Sequence, residues 1–312
     1  MRVTFVQKSF LNLKGIYLFA TQKDKCQDKV WEKGVEFEEG KKDLSSKGLF
    51  PLLNYRPLLG TERMSNAQKV ALVTGSASGL GLALANELVK RNYRVIGLGR
   101  KKPEGVAEKD FIICDLSDPA AVENIPAMVA ERTDHLDLLV NNAGFGGYAA
   151  WEELPAAELR RMFEVDFFAP VRLAQLMLPL LAASRGDIIN IASVAGISPV
   201  PCMGAYSAVK AALKSFSQTL RAEASLQGIR VITVCPGRIS TGFSSRAIRL
   251  RECPDTPGNN VDPTNFARRV LKALNRNQGI LVYPGWYKLF NAFTNTFTDL
   301  YMRMALKVWK MR

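Results

Sequence analysis

The sequence predicts an α/β fold, a doubly wound parallel sheet of seven strands with helices on both faces. Three observations predict it. From Lys69 onward, short near-continuous runs of Val, Ile and Leu alternate with longer stretches of helical period. Such runs read as strands buried on both faces, as in parallel sheets. Gly, Pro and Asn punctuate the joins, and a hydrophobic content of 47% over 312 residues offsets the chain entropy lost on folding, which excludes a disordered chain.

Taken in order, Val-Ala-Leu-Val predicts a strand over 70–73, and the glycine-rich turn after it opens a helix over 79–91. Strands follow at 94–98 and 111–114, then a helix over 119–131 with Ser117 and Asp118 placed to cap it. A strand at 136–140, a long helix over 155–183, a strand at 187–191 and a helix over 204–227 come next. Strands at 230–234 and 280–282 flank a last domain helix over 263–275. Ligands of such sheets bind beyond the carboxyl ends of the strands, so function is expected just after each one.

Composition narrows the chemistry. Lys and Arg total 42 against 29 acidic residues, a formal charge of +13 that calls for an anionic partner: phosphate, lipid or nucleic acid. No nucleic-acid motif accompanies the charge, and no such partner is expected. Five cysteines, Cys26, Cys114, Cys202, Cys235 and Cys253, form no CxxC pair and are odd in number, against a disulfide framework or zinc site. A reducing, cytoplasmic setting fits them. With the single histidine His135, no metal site and no Ser-His-Asp triad is expected. No long uncharged apolar window suggests a spanning helix, and Lys8, Asn12, Lys14 and Gly15 interrupt the first apolar residues, unlike a signal peptide. Residues 1–63 read as a poorly ordered extension or as an over-long start with Met64 the initiator; Glu36, Glu38 and Glu39 are wrong for a transit peptide. The domain proper then runs over 64–285, followed by a tail over 286–312.

The turn Thr74-Gly75-Ser76-Ala77-Ser78-Gly79-Leu80-Gly81 joins the first strand to the first helix. Glycines there let a pyrophosphate approach backbone N–H groups at a helix N-terminus. The second strand ends in Gly99 and Arg100. An acidic residue would hold a free ribose 2′-hydroxyl, whereas Arg pairs with a 2′-phosphate, so NADP(H) is expected over NAD(H). Asp115, followed by Leu116 after the third strand, is either an acceptor for an adenine amino group or a turn residue.

Ser193 follows the fifth strand, and Tyr206 and Lys210 stand one helical turn apart, on one face. A free tyrosine is poorly ionised at neutral pH, but the Lys210 ammonium together with the positive ring of an oxidised nicotinamide would favour its phenolate. Tyr206 could then exchange a proton with an alcohol or carbonyl while hydride moves to or from the cofactor, with Ser193 orienting the substrate oxygen.

With these motifs together, the sequence resembles the short-chain dehydrogenase/reductase family over residues 67–284. TGxxxGxG spans Thr74 to Gly81, NNAG is Asn141-Asn142-Ala143-Gly144, and the active-site serine is Ser193. YxxxK is Tyr206 and Lys210, and PGxxxT runs from Pro236 and Gly237 through Ile239 to Thr241. The resemblance implies a Rossmann sheet of order 3-2-1-4-5-6-7 and the roles just given to Ser193, Tyr206 and Lys210. It implies that Asn142, Ala143 and Gly144 line the adenosine side, that Lys210 bonds the nicotinamide ribose, that Ile239 and Thr241 meet the carboxamide, and that the two long helices pair in a dimer or tetramer. One position departs: the family asparagine that holds a proton-relay water is Asp166 here. It is either a tolerated near-isostere or a charge that titrates with Lys210 and offsets its field on Tyr206.

Phe145, Tyr148, Val200, Met203 and Phe243 suggest an apolar ketone or alcohol substrate, though each could equally be ordinary packing; 238–262 has the composition of a lid. The tail, with Trp286, Leu289, Phe290, Phe293, Phe297, Leu300, Tyr301, Met304 and Val308 at helical spacing, reads as one basic amphipathic helix. Such a helix lies on an anionic membrane surface, caps the pocket or packs in a dimer. The expected activity is an NADP(H)-dependent oxidoreductase on a carbonyl/alcohol pair, in the reductive direction. The alternative is a cofactor-sensing protein without turnover, which the retained Ser193, Tyr206 and Lys210 disfavour.

Overall fold

The computed structural model describes residues 68–252 and 261–309; the extension at 1–63 and the end of the tail lie outside them. The strands are β1 (Lys69–Thr74), β2 (Tyr93–Gly99), β3 (Phe111–Ile113), β4 (Leu138–Asn141), β5 (Asp187–Ile191), β6 (Arg230–Pro236) and β7 (Ile280–Tyr283). They form one parallel sheet in the order β3-β2-β1-β4-β5-β6-β7, the order implied by the family resemblance.

The near-continuous apolar runs have a direct physical cause. Val70 and Leu72 point into a core on one side of the sheet, and Ala71 and Val73 into a core on the other. The helices on the first side are α2 (Pro119–Glu123), α3 (Ile125–Ala130), α5 (Ala169–Ser184) and α6 (Gly204–Ser225). On the second side lie α1 (Gly79–Val89) and α7 (Pro263–Asn275).

Three expected helices are divided. The stretch 119–131 breaks at Asn124, where α2 ends and Pro126, which has no N–H to donate, sits in the first turn of α3. The stretch 155–183 is α4 (Ala156–Phe163), a π-helical segment Glu164–Phe168, and α5. Pro170 in the first turn of α5 lacks the N–H that would bond back to the Asp166 carbonyl, which favours the wider turn there. The helical run 156–184 is long and apolar enough to cross a membrane by length and composition, but Leu173, Met177 and Leu181 are fully buried in the sheet core.

The tail is two helices rather than the single one expected. These are α8 (Tyr287–Thr296) and α9 (Thr298–Val308), interrupted at Phe297, whose φ of −117° and ψ of 52° leave the helical region. They pack on the loop after β5: the Ser198 and Thr294 hydroxyls are 3.0 Å apart, and Tyr301 donates to the Pro199 carbonyl at 3.0 Å. The structure also pairs two strands too short to read from sequence, Gly147–Tyr148 and Ile248–Arg249, tying the segment after β6 to the loop after β4.

Candidate active site

The glycine turn is shaped by close approach. Gly75 and Gly79 take φ of 66° and 58°, the left-handed region, and a Cβ on Gly81 would lie 2.3 Å from the Gly75 carbonyl oxygen. Thr74 and Asn142 fasten the turn to β4. The Thr74 hydroxyl accepts from the N–H groups of Asn142 and Ala143, both at 2.9 Å, and the Asn142 amide donates to the Thr74 carbonyl at 3.0 Å. Ser78 occupies the N-cap of α1 without making a side-chain cap bond, and no acidic residue stands in the first turn. Those helix-end N–H groups and the side-chain-free turn fit a diphosphate. Leu80 and Leu116 turn their side chains into the two cores, and Ser76 is buried with its hydroxyl against Gly97. At all three, only the backbone is presented to a ligand in the turn or the neighbouring loop.

At the end of β2, Arg100 is exposed, while Lys102 is engaged by Glu108. Asp115 accepts from the Ser117 N–H at 2.9 Å and from its hydroxyl at 2.8 Å. Those bonds, led by the backbone N–H and helped by Arg100 and Arg161, hold its carboxyl below the usual range. Asp115 thus closes a turn, as the second of its two readings had it.

A chain of buried amides runs beneath Ser193, Tyr206 and Lys210. Asn141 donates to the Asn190 side-chain oxygen at 2.8 Å and Asn190 to the Ser217 hydroxyl at 2.9 Å, joining β4, β5 and α6. Gly196 lets the loop after β5 meet α6, because a Cβ there would sit 2.6 Å from the Lys210 backbone. Ser193 thereby reaches Tyr206 and hydrogen-bonds it. Lys210 donates to the Ile191 carbonyl at 3.0 Å and pairs with Asp166 at 3.1 Å. Asp166, wholly buried on the π-helical segment, also accepts from the Phe145 N–H at 3.0 Å. Burial raises its carboxyl above the ordinary value, although Lys210 and that N–H oppose the shift.

Burial likewise pushes the Tyr206 hydroxyl well up, and the Asp166 charge adds to it; the Ser193 hydrogen bond works the other way. The field expected to favour the phenolate comes from Lys210 together with an oxidised nicotinamide, and Lys210 by itself does not outweigh burial. The Lys210 ammonium is turned to Asp166 and Ile191 and stands 5.8 Å from the Tyr206 ring centre, so desolvation dominates. Around Tyr206 an apolar cluster includes Phe145, Met203 and Phe243, with the Phe243 ring 5.6 Å away. Val200 stands outside that cluster. Tyr148 is buried with its hydroxyl 3.2 Å from that of Ser244.

Beyond β6, Gly237 donates its N–H to the Tyr283 carbonyl at 2.7 Å, and Ile239 bridges to Val261. Thr241 packs against Gly79, so Pro236, Gly237, Ile239 and Thr241 form one wall beside the glycine turn. Sequence reasoning missed Arg246. It donates to the Ser78 hydroxyl at 2.6 Å and to the Thr241 carbonyl at 3.2 Å, bringing a lid guanidinium to the N-terminus of α1. No motif marks it; the signal was only a basic residue within the lid.

The sequence profile of the family described as short chain dehydrogenase matches residues 69–250. The chain belongs to the short-chain dehydrogenase/reductase family. Among members of this family, it is 30% identical to a 3-ketodihydrosphingosine reductase of Bacteroides thetaiotaomicron over 67% of this chain and 77% of that protein. It is 35% identical to an NADPH-dependent 3-dehydrocapnine reductase of Ornithobacterium rhinotracheale over 57% and 68%. A Streptomyces avermitilis short-chain dehydrogenase structure superimposes with a TM-score of 0.65 at 31% identity, covering 79% of this chain and 98% of that one. One from Sphingobium yanoikuyae in complex with NADPH gives 0.63 at 26% identity, covering 74% and 95%. This short-chain dehydrogenase/reductase therefore has an oxidoreductase scaffold whose neighbours include NADP complexes.

Proposed function

We propose that this chain is an NADP(H)-dependent reductase of an apolar ketone, with Tyr206 as the proton donor. The observation that carries the reading is the Tyr206 hydroxyl, buried in an apolar cluster and hydrogen-bonded by Ser193. A hydroxyl whose ionisation is pushed up begins as the acid, which suits reduction. The substrate carbonyl oxygen accepts from Ser193 and takes the proton from Tyr206, while the apolar cluster excludes water. The cofactor, when bound, supplies hydride. Lys210 is assigned to the nicotinamide ribose, the wall from Pro236 to Thr241 to the carboxamide side, Asn142, Ala143 and Gly144 to the adenosine, and Arg100 to the 2′-phosphate. NADPH in a structural neighbour and in the name of one relative supports that cofactor, and two relatives named as reductases support the direction. Pairing of α5 and α6 with a second copy, and a cytoplasmic setting suited to the free thiols of Cys114, Cys202 and Cys235, complete the reading.

The test is NADPH oxidation over a panel of ketones of increasing chain length. NADPH binding without ketone-dependent oxidation on any of them would instead indicate a sensor. Arg100→Ala should weaken NADPH binding by roughly 10–100-fold, as expected for a lost charge-assisted pair, and leave NADH within about twofold; fluorescence titration reads both. Equal losses for the two cofactors would remove Arg100 from the 2′-phosphate.

Asp166→Asn removes a charge that raises the Tyr206 value. The alkaline limb of ketone reduction should therefore move to lower pH, and alcohol oxidation should rise correspondingly earlier. Identical pH-rate profiles for wild type and variant would show that Asp166 is only a near-isostere of asparagine.

A further inference from the structure

We infer that the α8–α9 pair is a membrane-docking face for an anionic lipid surface, and that the ketone reaches Tyr206 from that surface. The substrate half of this statement rests on the reductase reading above; the docking half does not. The pair has two sides. Its inner side is held down: Thr294, Tyr301 and Ala305 are buried, Tyr301 is bonded to Pro199, and the Phe290 and Tyr301 rings meet edge to face at 5.6 Å. Its outer side carries an apolar stripe at helical spacing. Trp286 and Leu289 on α8 and Leu300, Met304 and Val308 on α9 are all exposed, Leu289 to 78%. Phe293 and Phe297, with ring centres 5.6 Å apart, join the two halves across the break.

Charge chooses the occupant. Lys288, Arg303 and Lys307 are exposed along this side, with Asp299 the acid beside them. A symmetric second copy on the same face would bring those cations against their own equivalents, whereas anionic headgroups neutralise them while the stripe enters the acyl boundary. Position then assigns the purpose. The loop that α8 and α9 cover leads from Ser198 into the start of α6, where Tyr206 sits. Trp309, at the end of α9, stacks on Tyr148, whose hydroxyl faces Ser244 in the lid beside Phe243. A docked face would thus border both segments that pack against Tyr206, suiting a long-chain ketone dissolved in the bilayer.

The experiment is co-sedimentation of the full chain with vesicles of phosphatidylcholine alone and of phosphatidylcholine mixed with phosphatidylglycerol. Preferential binding to the mixed vesicles, weakened by salt, is expected. Two doubly substituted variants keep the buried side intact: Leu300→Glu with Met304→Glu, and Arg303→Glu with Lys307→Glu. Each should lose about tenfold or more of the partitioning, while NADPH binding and solution oligomeric state stay as in wild type and so report an intact fold. Equal partitioning of wild type and variants, no sedimentation of wild type, or an assembly that falls apart in the variants would each overturn the docking face. With docking established, a bilayer-embedded long-chain ketone should be reduced faster by wild type than by the variants, and a short soluble ketone equally by all. Equal rates on the embedded ketone would overturn delivery from the surface. Docking without reduction of any ketone would refute the reductase reading and leave the docking face standing.

Discussion

Tyr206→Phe should lower kcat by about 10²–10⁴-fold, the range general acid catalysis supplies, and leave NADPH affinity within about twofold. The size of the effect follows from what the substitution removes. Tyr206 is only 8% exposed and packs against Phe243 and the rest of the apolar cluster. Phenylalanine keeps that packing and takes away one hydroxyl, the group hydrogen-bonded by Ser193. The Ser193 side chain retains the Ala195 N–H as a donor at 3.1 Å, so the stability loss should stay near about 1 kcal/mol, the net value of a typical hydrogen bond. Single-turnover rates with saturating NADPH make the measurement, and a variant that turns over within tenfold of wild type would take Tyr206 out of the proton-donating role.

Lys210→Met should be the more damaging change to the fold, costing roughly 3–5 kcal/mol at neutral pH. The Lys210 side chain is 4% exposed and that of Asp166 0%, so removing the ammonium leaves a carboxylate in the interior with the Phe145 N–H as its remaining donor. The pH dependence has a definite sign. Asp166 is already raised above its ordinary value by burial, and loss of Lys210 removes the leading opposing influence. The folded chain therefore favours the protonated acid more than the unfolded chain does. The variant's deficit should be smallest in acid, below the ordinary carboxylate range, and grow as pH rises through the raised folded value. Combining Lys210→Met with Asp166→Asn should recover most of the loss, because both charges leave together. Thermal melts of the four proteins at two pH values test the cycle; no recovery in the double variant would mean that packing, not the ion pair, holds this region.

These two sites also mark where the sequence was informative and where it was not. The strands were readable because their near-continuous apolar runs feed cores on both faces of the sheet, as at Val70 to Val73. The glycine turn was readable because a strand before and a helix after give its glycines a geometric task. Helix continuity was not readable: Pro126 and Pro170 each start a new helix within a stretch of unbroken apolar period, and Phe297 interrupts the tail with no helix-breaking residue at the joint. A carboxylate near Lys210 was foreseeable from Asp166, but its burial, and hence which influence governs Tyr206, depends on the π-helical segment that turns it inward. Arg246 was beyond local reasoning altogether, since Ser78, its partner, lies 168 residues away along the chain.

The amide chain through the sheet bears on how this sequence can drift. Asn141 gives its amide hydrogens to Asn190 and to the Pro170 carbonyl, yet its own side-chain oxygen is buried with no partner. Buried polar networks of this kind specify one geometry of the elements they join. The pair is better understood as a gauge that fixes the spacing of β4, β5 and α6. Neither asparagine can be exchanged singly without stranding the other's polar group. Substitutions at 141 and 190 should therefore arise jointly across related sequences.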